Sequence, residues 1–153
     1  MMHLYYILTD NPKVRRRTTM HLNEYLENVI GKGVLATADA AGKVDAAIYA
    51  KPHVMEDGQV AFIMRENLTH HNLQSNPYAT YLLIEDVPHY KGVRLFLKKI
   101  KEETDSDLIA KLTRRHLSPE QDETKGPKFI VFFAVENILP LIGSGETEIQ
   151  HVV

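Results

Sequence analysis

The chain of 153 residues contains no cysteine. That absence excludes disulfides, thiolate catalysis, zinc fingers and cysteine-held iron–sulfur clusters. It suits a reducing compartment, and a cytoplasmic setting is the expectation. Long apolar runs are also lacking. The longest strongly apolar stretch is Phe129–Val135, whereas a membrane-spanning helix needs about 20 residues. Met1–Leu8 is partly apolar but has no basic leader and no small-residue cleavage site after it, so no signal peptide is expected. Charge of one sign is scarce too: 18 Lys and Arg stand against 20 Asp and Glu, a net charge of −2. Such a chain has no global field to gather phosphates, and nucleic acid is not an expected partner. What remains is ordinary for a folded domain, with 44% apolar and 25% charged residues and enough length for one core without staples.

The order of elements is legible from periodicity and punctuation. Residues 1–18 read as a lead-in containing Asn11-Pro12 and Arg15-Arg16-Arg17. Those arginines are either a solvated approach to a helix or a phosphate contact. Leu22, Tyr25, Leu26, Val29 and Ile30 form one helical stripe over Thr19–Ile30. Thr18 or Thr19 can cap it, and Gly31 or Gly33 can end it. Val34–Ala38, Val44–Met55 (interrupted at Pro52) and Gln59–Arg65 read as a meander of three strands, with Glu56-Asp57-Gly58 as a hairpin turn. A helix over Leu68–Ser75, capped by Asn67 or Thr69 and stopped by Pro77, precedes strands Tyr78–Glu85 and Val93–Glu103. Ser106–His116 is a third helix, Ser118-Pro119-Glu120-Gln121 has the form of a capping box, and Lys128–Glu136 is the last strand.

Both faces of that last strand are apolar. Phe129, Val131, Phe133 and Val135 alternate with Ile130, Phe132 and Ala134. One face can fill a barrel, and the other needs a helix or a second subunit. The expected fold is therefore a small antiparallel barrel with flanking helices, and the chain is expected to dimerise. Residues 19–143 form the domain, and 144–153 a tail.

Gly31-Lys32-Gly33-Val34-Leu35-Ala36 matches G-x-G-x-x-A, but a helix precedes it and a strand follows. Dinucleotide binding needs the reverse order, so these glycines read as a helix stop. The eight histidines include no H-x-H or H-x-x-x-H pair. His70 and His71 would point about 100° apart on a helix and chelate poorly, so no metal site is expected. A G-x-S-x-G elbow and a P-loop are both missing. The segment Ile63–Thr69 is the most informative. A strand ends in Arg65, and a helix begins at once beside Asn67 and Thr69. It reads either as a capped helix next to a solvated arginine or as a phosphate cradle.

Taken together, this order of elements resembles the pyridoxamine 5′-phosphate oxidase-like family of FMN-binding split barrels, which implies a fold that is mainly β with flanking helices, a six-stranded antiparallel split barrel. Leu35-Ala36-Thr37-Ala38-Asp39 followed by Gly42 resembles the family's L-A-T-x-D…G opening, and Phe62 through Asn76-Pro77 its strand–helix–N-P segment. The resemblance covers about residues 20–100 well and 101–140 loosely. It implies FMN at a homodimer interface, with Ile48, Tyr49, Ala50 and Lys51 along the ring or ribityl chain. Ile63, Met64 and Arg65 would sit at the end of the third strand, with Asn67, Thr69 and Asn72 near the phosphate. Where oxidases of the family carry an S-R-K-like triplet, this chain has Asn67-Leu68-Thr69, so Arg65 or Lys51 would have to supply the charge. The C-terminal motif of paired arginines around a histidine is absent, and oxidation of pyridoxine phosphate is not expected.

The resemblance thus implies an FMN-dependent oxidoreductase or electron carrier with a small-molecule substrate or donor. Tyr49, His89 and Tyr90 are candidates for proton transfer by location. Three alternatives stay open: a haem-binding or haem-degrading barrel using His53, His70, His71 or His89; a deazaflavin-dependent reductase using Lys98, Lys99 and Lys101; and a cofactor-free interaction module.

Overall fold

Alternating apolar side chains along six extended runs build one antiparallel sheet, and a proline turns six runs into seven strands. The computed structural model describes residues 19–113 and 118–151. The lead-in over 1–18 lies outside the described residues. In chain order the elements are β1 (Met20–His21), α1 (Leu22–Asn28), β2 (Gly31–Ala38), β3 (Val44–Ile48), β4 (His53–Val54) and β5 (Val60–Arg65). They continue with α2 (Leu68–Ser75), β6 (Tyr78–Glu85), β7 (Gly92–Glu103), α3 (Ser106–Leu112), α4 (Pro119–Thr124), β8 (Lys128–Pro140) and β9 (Ile149–Gln150).

The sheet order is β3-β2-β6-β7-β8-β5-β4. Pro52 has no N–H to give a ladder, and the long second run divides there into β3 and β4. The expected meander is divided with it: β3 pairs with β2 and β4 with β5. Residues 49–52 therefore carry the chain from one edge of the sheet to the other. The sheet curls round a shared core. Phe62 of β5 lies 5.1 Å from Tyr81 of β6, ring centre to ring centre, although two strands separate them in the sheet.

Leu35, Tyr81, Leu83, Leu95, Leu97 and Phe133 are among the side chains that fill this interior. Leu22, Tyr25 and Leu26 of α1, with Leu73 of α2, complete it. A second, smaller cluster lies on the opposite face of β5 and β8. Ala61, Ile130 and Phe132 meet Ile109 of α3 there. The two apolar faces of β8 are thus both covered, one by the barrel interior and one by a helix. The outward side of β3 differs: Val44 and Ile48 are 79% and 76% exposed. Tyr78 and Ile84 of β6 are exposed as well.

Helix α1 is shorter than Thr19–Ile30. Met20 and His21 are extended and pair in parallel with Ile149 and Gln150, so the helix starts one turn late, with His21 at the N-cap and no side-chain cap. Gly31 and Gly33 are not its stop: both lie inside β2. A Cβ on Gly31 would overlap the Ile84 carbonyl, and one on Gly33 would overlap the Tyr81 phenol. Close approach of neighbouring groups, rather than helix termination, requires glycine there. Helix α3 ends at Leu112 with Thr113 extended, short of His116, and residues 114–117 lie outside the described residues. Strand β8 runs four residues beyond Glu136, with register shifts against β7 between Phe96 and Leu97 and between Lys99 and Lys101.

Candidate functional site

Residues 49–51, the end of β5 and the N-cap of α2 converge on one cleft of about 330 Å³, which Leu112, Thr113, Lys125 and Lys128 also line. Its position follows from the edge-to-edge crossing. Ala50 and Lys51 belong to neither ladder. The Tyr49 N–H donates to the Gly33 carbonyl at 3.0 Å, and the Tyr81 hydroxyl donates to the Tyr49 carbonyl at 3.1 Å. Gly33 thus makes room for the phenol that holds the crossing in place. The Tyr49 ring meets Phe62 edge to face at 6.1 Å. The Asn67 amide donates to the Tyr49 hydroxyl at 3.1 Å, while its Oδ1 accepts the His70 N–H and caps α2.

Seven of the residues named from the sequence line this cleft: Tyr49, Ala50, Lys51, Ile63, Met64, Arg65 and Asn67. Three do not. Ile48 faces outward on β3, one residue out of phase with Tyr49. Thr69 and Asn72 are buried on the barrel side of α2, and the Asn72 amide donates to Thr37 Oγ1 at 3.1 Å. Of the histidines considered for haem, His53 lines the cleft; His70 is buried, stacked on Phe129 at 4.0 Å and bonded through Nε2 to Glu102 at 2.6 Å. His71, His89 and Tyr90 are exposed away from it. Lys98 lies over Tyr78, Lys99 pairs with Glu102 and Lys101 with Glu103, all on β7 and none on the cleft. Among the described residues, no three His, Asp or Glu side chains gather as a metal site.

The cleft wall is basic. Lys51, Arg65, Lys125 and Lys128 line it, and among the described residues no carboxylate lines it, although Asp122 meets two of these cations from beside it. On a chain of net charge −2 this is a local concentration of positive charge. Three of these cations are already engaged. Lys51 Nζ donates to the carbonyl of Val29, the last residue capping α1, at 2.7 Å. Arg65 Nη1 donates to the carbonyls of Asp122 and Gly126 at 3.2 and 2.8 Å, and Nη2 pairs with Asp122 Oδ1 at 2.5 Å. Lys128 Nζ reaches the same Asp122 oxygen at 2.8 Å. Lys128 and then Arg65, each hydrogen-bonded to it, hold the Asp122 carboxyl below the usual carboxylate range.

Lys128 was not among the residues named from the sequence. It stands directly opposite Arg65 in the β5–β8 register. A basic residue opening an apolar strand was visible, but its partner was not, because register is a long-range property. Lys125 and Phe62 enter the cleft in the same way, through packing rather than local pattern.

No family model matches this chain, and no curated protein does. Solved structures do. An FMN-binding protein from Syntrophomonas wolfei subsp. wolfei matches at TM-score 0.62 and 16% identity over 78% of this chain and 83% of that one. HupZ of Group A Streptococcus matches at TM-score 0.60 and 16% identity over 82% and 94%. An F420 reductase matches at TM-score 0.55 and 18% identity over 76% and 94%. Others are provisionally named pyridoxamine 5′-phosphate oxidases. Among the described residues, no helix is long and apolar enough to cross a membrane. The chain has the split-barrel fold of these FMN-binding and pyridoxamine 5′-phosphate oxidase-like proteins, the fold its sequence resembles.

Proposed function

We propose that the cleft binds FMN and that the protein is a flavin-dependent oxidoreductase of the pyridoxamine 5′-phosphate oxidase-like family, distinct from a true pyridoxine phosphate oxidase. The observation that carries this reading is the pairing of an apolar and aromatic wall, Tyr49, Phe62, Ile63 and Leu112, with four lining cations, two of which share the single carboxylate of Asp122 beside the cleft. A flat apolar ring bearing a phosphate needs both. FMN, when bound, supplies the electron-transfer chemistry. The chain's own residues do the rest. Phe62 and Ile63 exclude water from one side, Arg65, Lys125 and Lys128 provide the charge for a phosphate, and Asn67 orients the Tyr49 hydroxyl. That hydroxyl accepts from Asn67 and keeps its own proton to donate into the cleft.

The same reading includes a homodimer in a cytoplasmic setting, with residues 19–143 as the flavin-binding unit. A cleft of about 330 Å³ is at the small end for a flavin-sized ligand, and a second copy would complete it. The exposed Val44 and Ile48 on β3 supply an apolar face for that copy. A deazaflavin is the second reading, favoured by the likeness to an F420 reductase; in this cleft its phosphate would meet Arg65, Lys125 and Lys128 rather than the lysines of β7. The test is an absorption spectrum of freshly purified protein. Bands near about 370 and 450 nm that bleach on reduction support FMN. A Soret band, or a protein that stays colourless after FMN is added, refutes it.

A further inference from the structure

Arg65 and Lys128 face each other across β5 and β8. Like charges at directly opposed positions repel. Asp122 of α4 relieves this by placing one carboxylate oxygen against both, at 2.5 and 2.8 Å. The contact has an unusual construction. Arg65 Nη1 is held separately by the Asp122 and Gly126 carbonyls, so the guanidinium stays on the cleft wall whether or not the carboxylate is there. The Asp122 side chain is the most open of the three, 40% exposed against 22% for Arg65 and 18% for Lys128. The carboxylate can therefore swing into water while the cations remain.

We propose that Asp122 is an internal anion occupying the cations of the phosphate end of the cleft, and that a phosphate-bearing ligand binds by displacing it. This rests on the reading of the cleft as a site for a phosphorylated flavin. One carboxylate divides a single negative charge between two cations, whereas a phosphate monoester brings about −1.5 to −2 charges and three acceptor oxygens. The exchange therefore favours a phosphomonoester and resists weaker anions. Asp122 acts as an autoinhibitory contact that sets the threshold for ligand entry.

The test compares wild type with Asp122→Asn, which keeps the side-chain volume, and with Asp122→Ser as a second variant. FMN, riboflavin and inorganic pyrophosphate are titrated into each, and the Arg65 guanidinium and Asp122 carboxyl signals are followed by NMR in the wild type. Removing the internal anion is expected to tighten FMN and pyrophosphate roughly three- to thirtyfold, the sum of two partly exposed ion pairs. Riboflavin, without a phosphate, is expected to change by less than about twofold on the same basis. In the wild type, pyrophosphate is expected to shift the Arg65 and Asp122 signals together. Unchanged or weaker binding of FMN and pyrophosphate in the variants overturns the proposal, as does an Asp122 signal that stays still while Arg65 moves. If neither flavin binds but pyrophosphate still tightens on substitution, the flavin reading fails and the internal anion stands. If neither FMN nor pyrophosphate binds any of the proteins, both fail.

Discussion

Replacing Gly33 by alanine adds one methyl group and is expected to disturb both the barrel and the cleft. The added Cβ would overlap the Tyr81 phenol, whose side chain is fully buried. Tyr81 cannot step aside freely, because its ring packs on Phe62 at 5.1 Å and its hydroxyl holds the Tyr49 carbonyl at 3.1 Å. Overpacking of this kind costs about 1–3 kcal/mol, and the lost hydrogen bond about 1 kcal/mol. Alanine recovers about 0.5–1 kcal/mol in a strand through lower chain entropy. The net destabilisation is about 1–3.5 kcal/mol, which for a chain of 153 residues lowers Tm by roughly 2–14 °C. Thermal melts by circular dichroism measure it. A double-mutant cycle with Tyr81→Ala locates the cause, since in that background the same methyl group should cost little. A Gly33→Ala variant that melts with the wild type, or a cycle with no coupling, would refute the argument that this glycine exists to admit Tyr81.

Arg65→Ala is expected to weaken FMN binding by about 1–2 kcal/mol. That is less than a full charge-assisted bond, because wild-type Arg65 must first give up Asp122; fluorescence titration measures it. Ile48→Lys places a charge on the exposed apolar side of β3 and should shift a dimer to monomers in sedimentation velocity; an unchanged dimer would locate the interface elsewhere. Acid stability is expected to follow Glu102. Burial raises its pKa, but hydrogen bonds from His70 and Lys99 outweigh this and hold the carboxyl below its ordinary value of 4.5. A depressed carboxyl contributes stability above that value and loses it as pH falls. Glu102→Gln should therefore flatten the loss of stability below about pH 4.5 in urea melts, and an unaltered acid limb would show that the network carries none of it.

The parts of this fold that were legible in the sequence are those set by neighbours in the chain. Helix α2 runs from Leu68 to Ser75 as expected, because the Asn67 cap and the Pro77 stop are local. The two-sided β8 announced two covering layers, and both are present. What was not legible depends on distant groups. Gly31 and Gly33 look like helix stops until Ile84 and Tyr81 are placed against them. Thr69 and Asn72 belong to the helix beside the cleft but to its barrel-facing side, a phase that packing against Thr37 determines. Lys128, which on the proposed reading makes up the charge missing from Asn67-Leu68-Thr69, is brought opposite Arg65 by register from 63 positions along the chain. Asp122, which neutralises that pair, had no local signal beyond its place after a capping box.

The central claim is that the basic end of the cleft selects a flavin by its phosphate. Parallel equilibrium titrations of the purified protein with FMN and with riboflavin, followed by quenching of flavin fluorescence, test it most directly. One FMN per chain is expected, bound at least about tenfold more tightly than riboflavin, with the difference shrinking as salt screens the cations. Equal affinity for the two flavins at low salt, or binding of neither, would contradict the account.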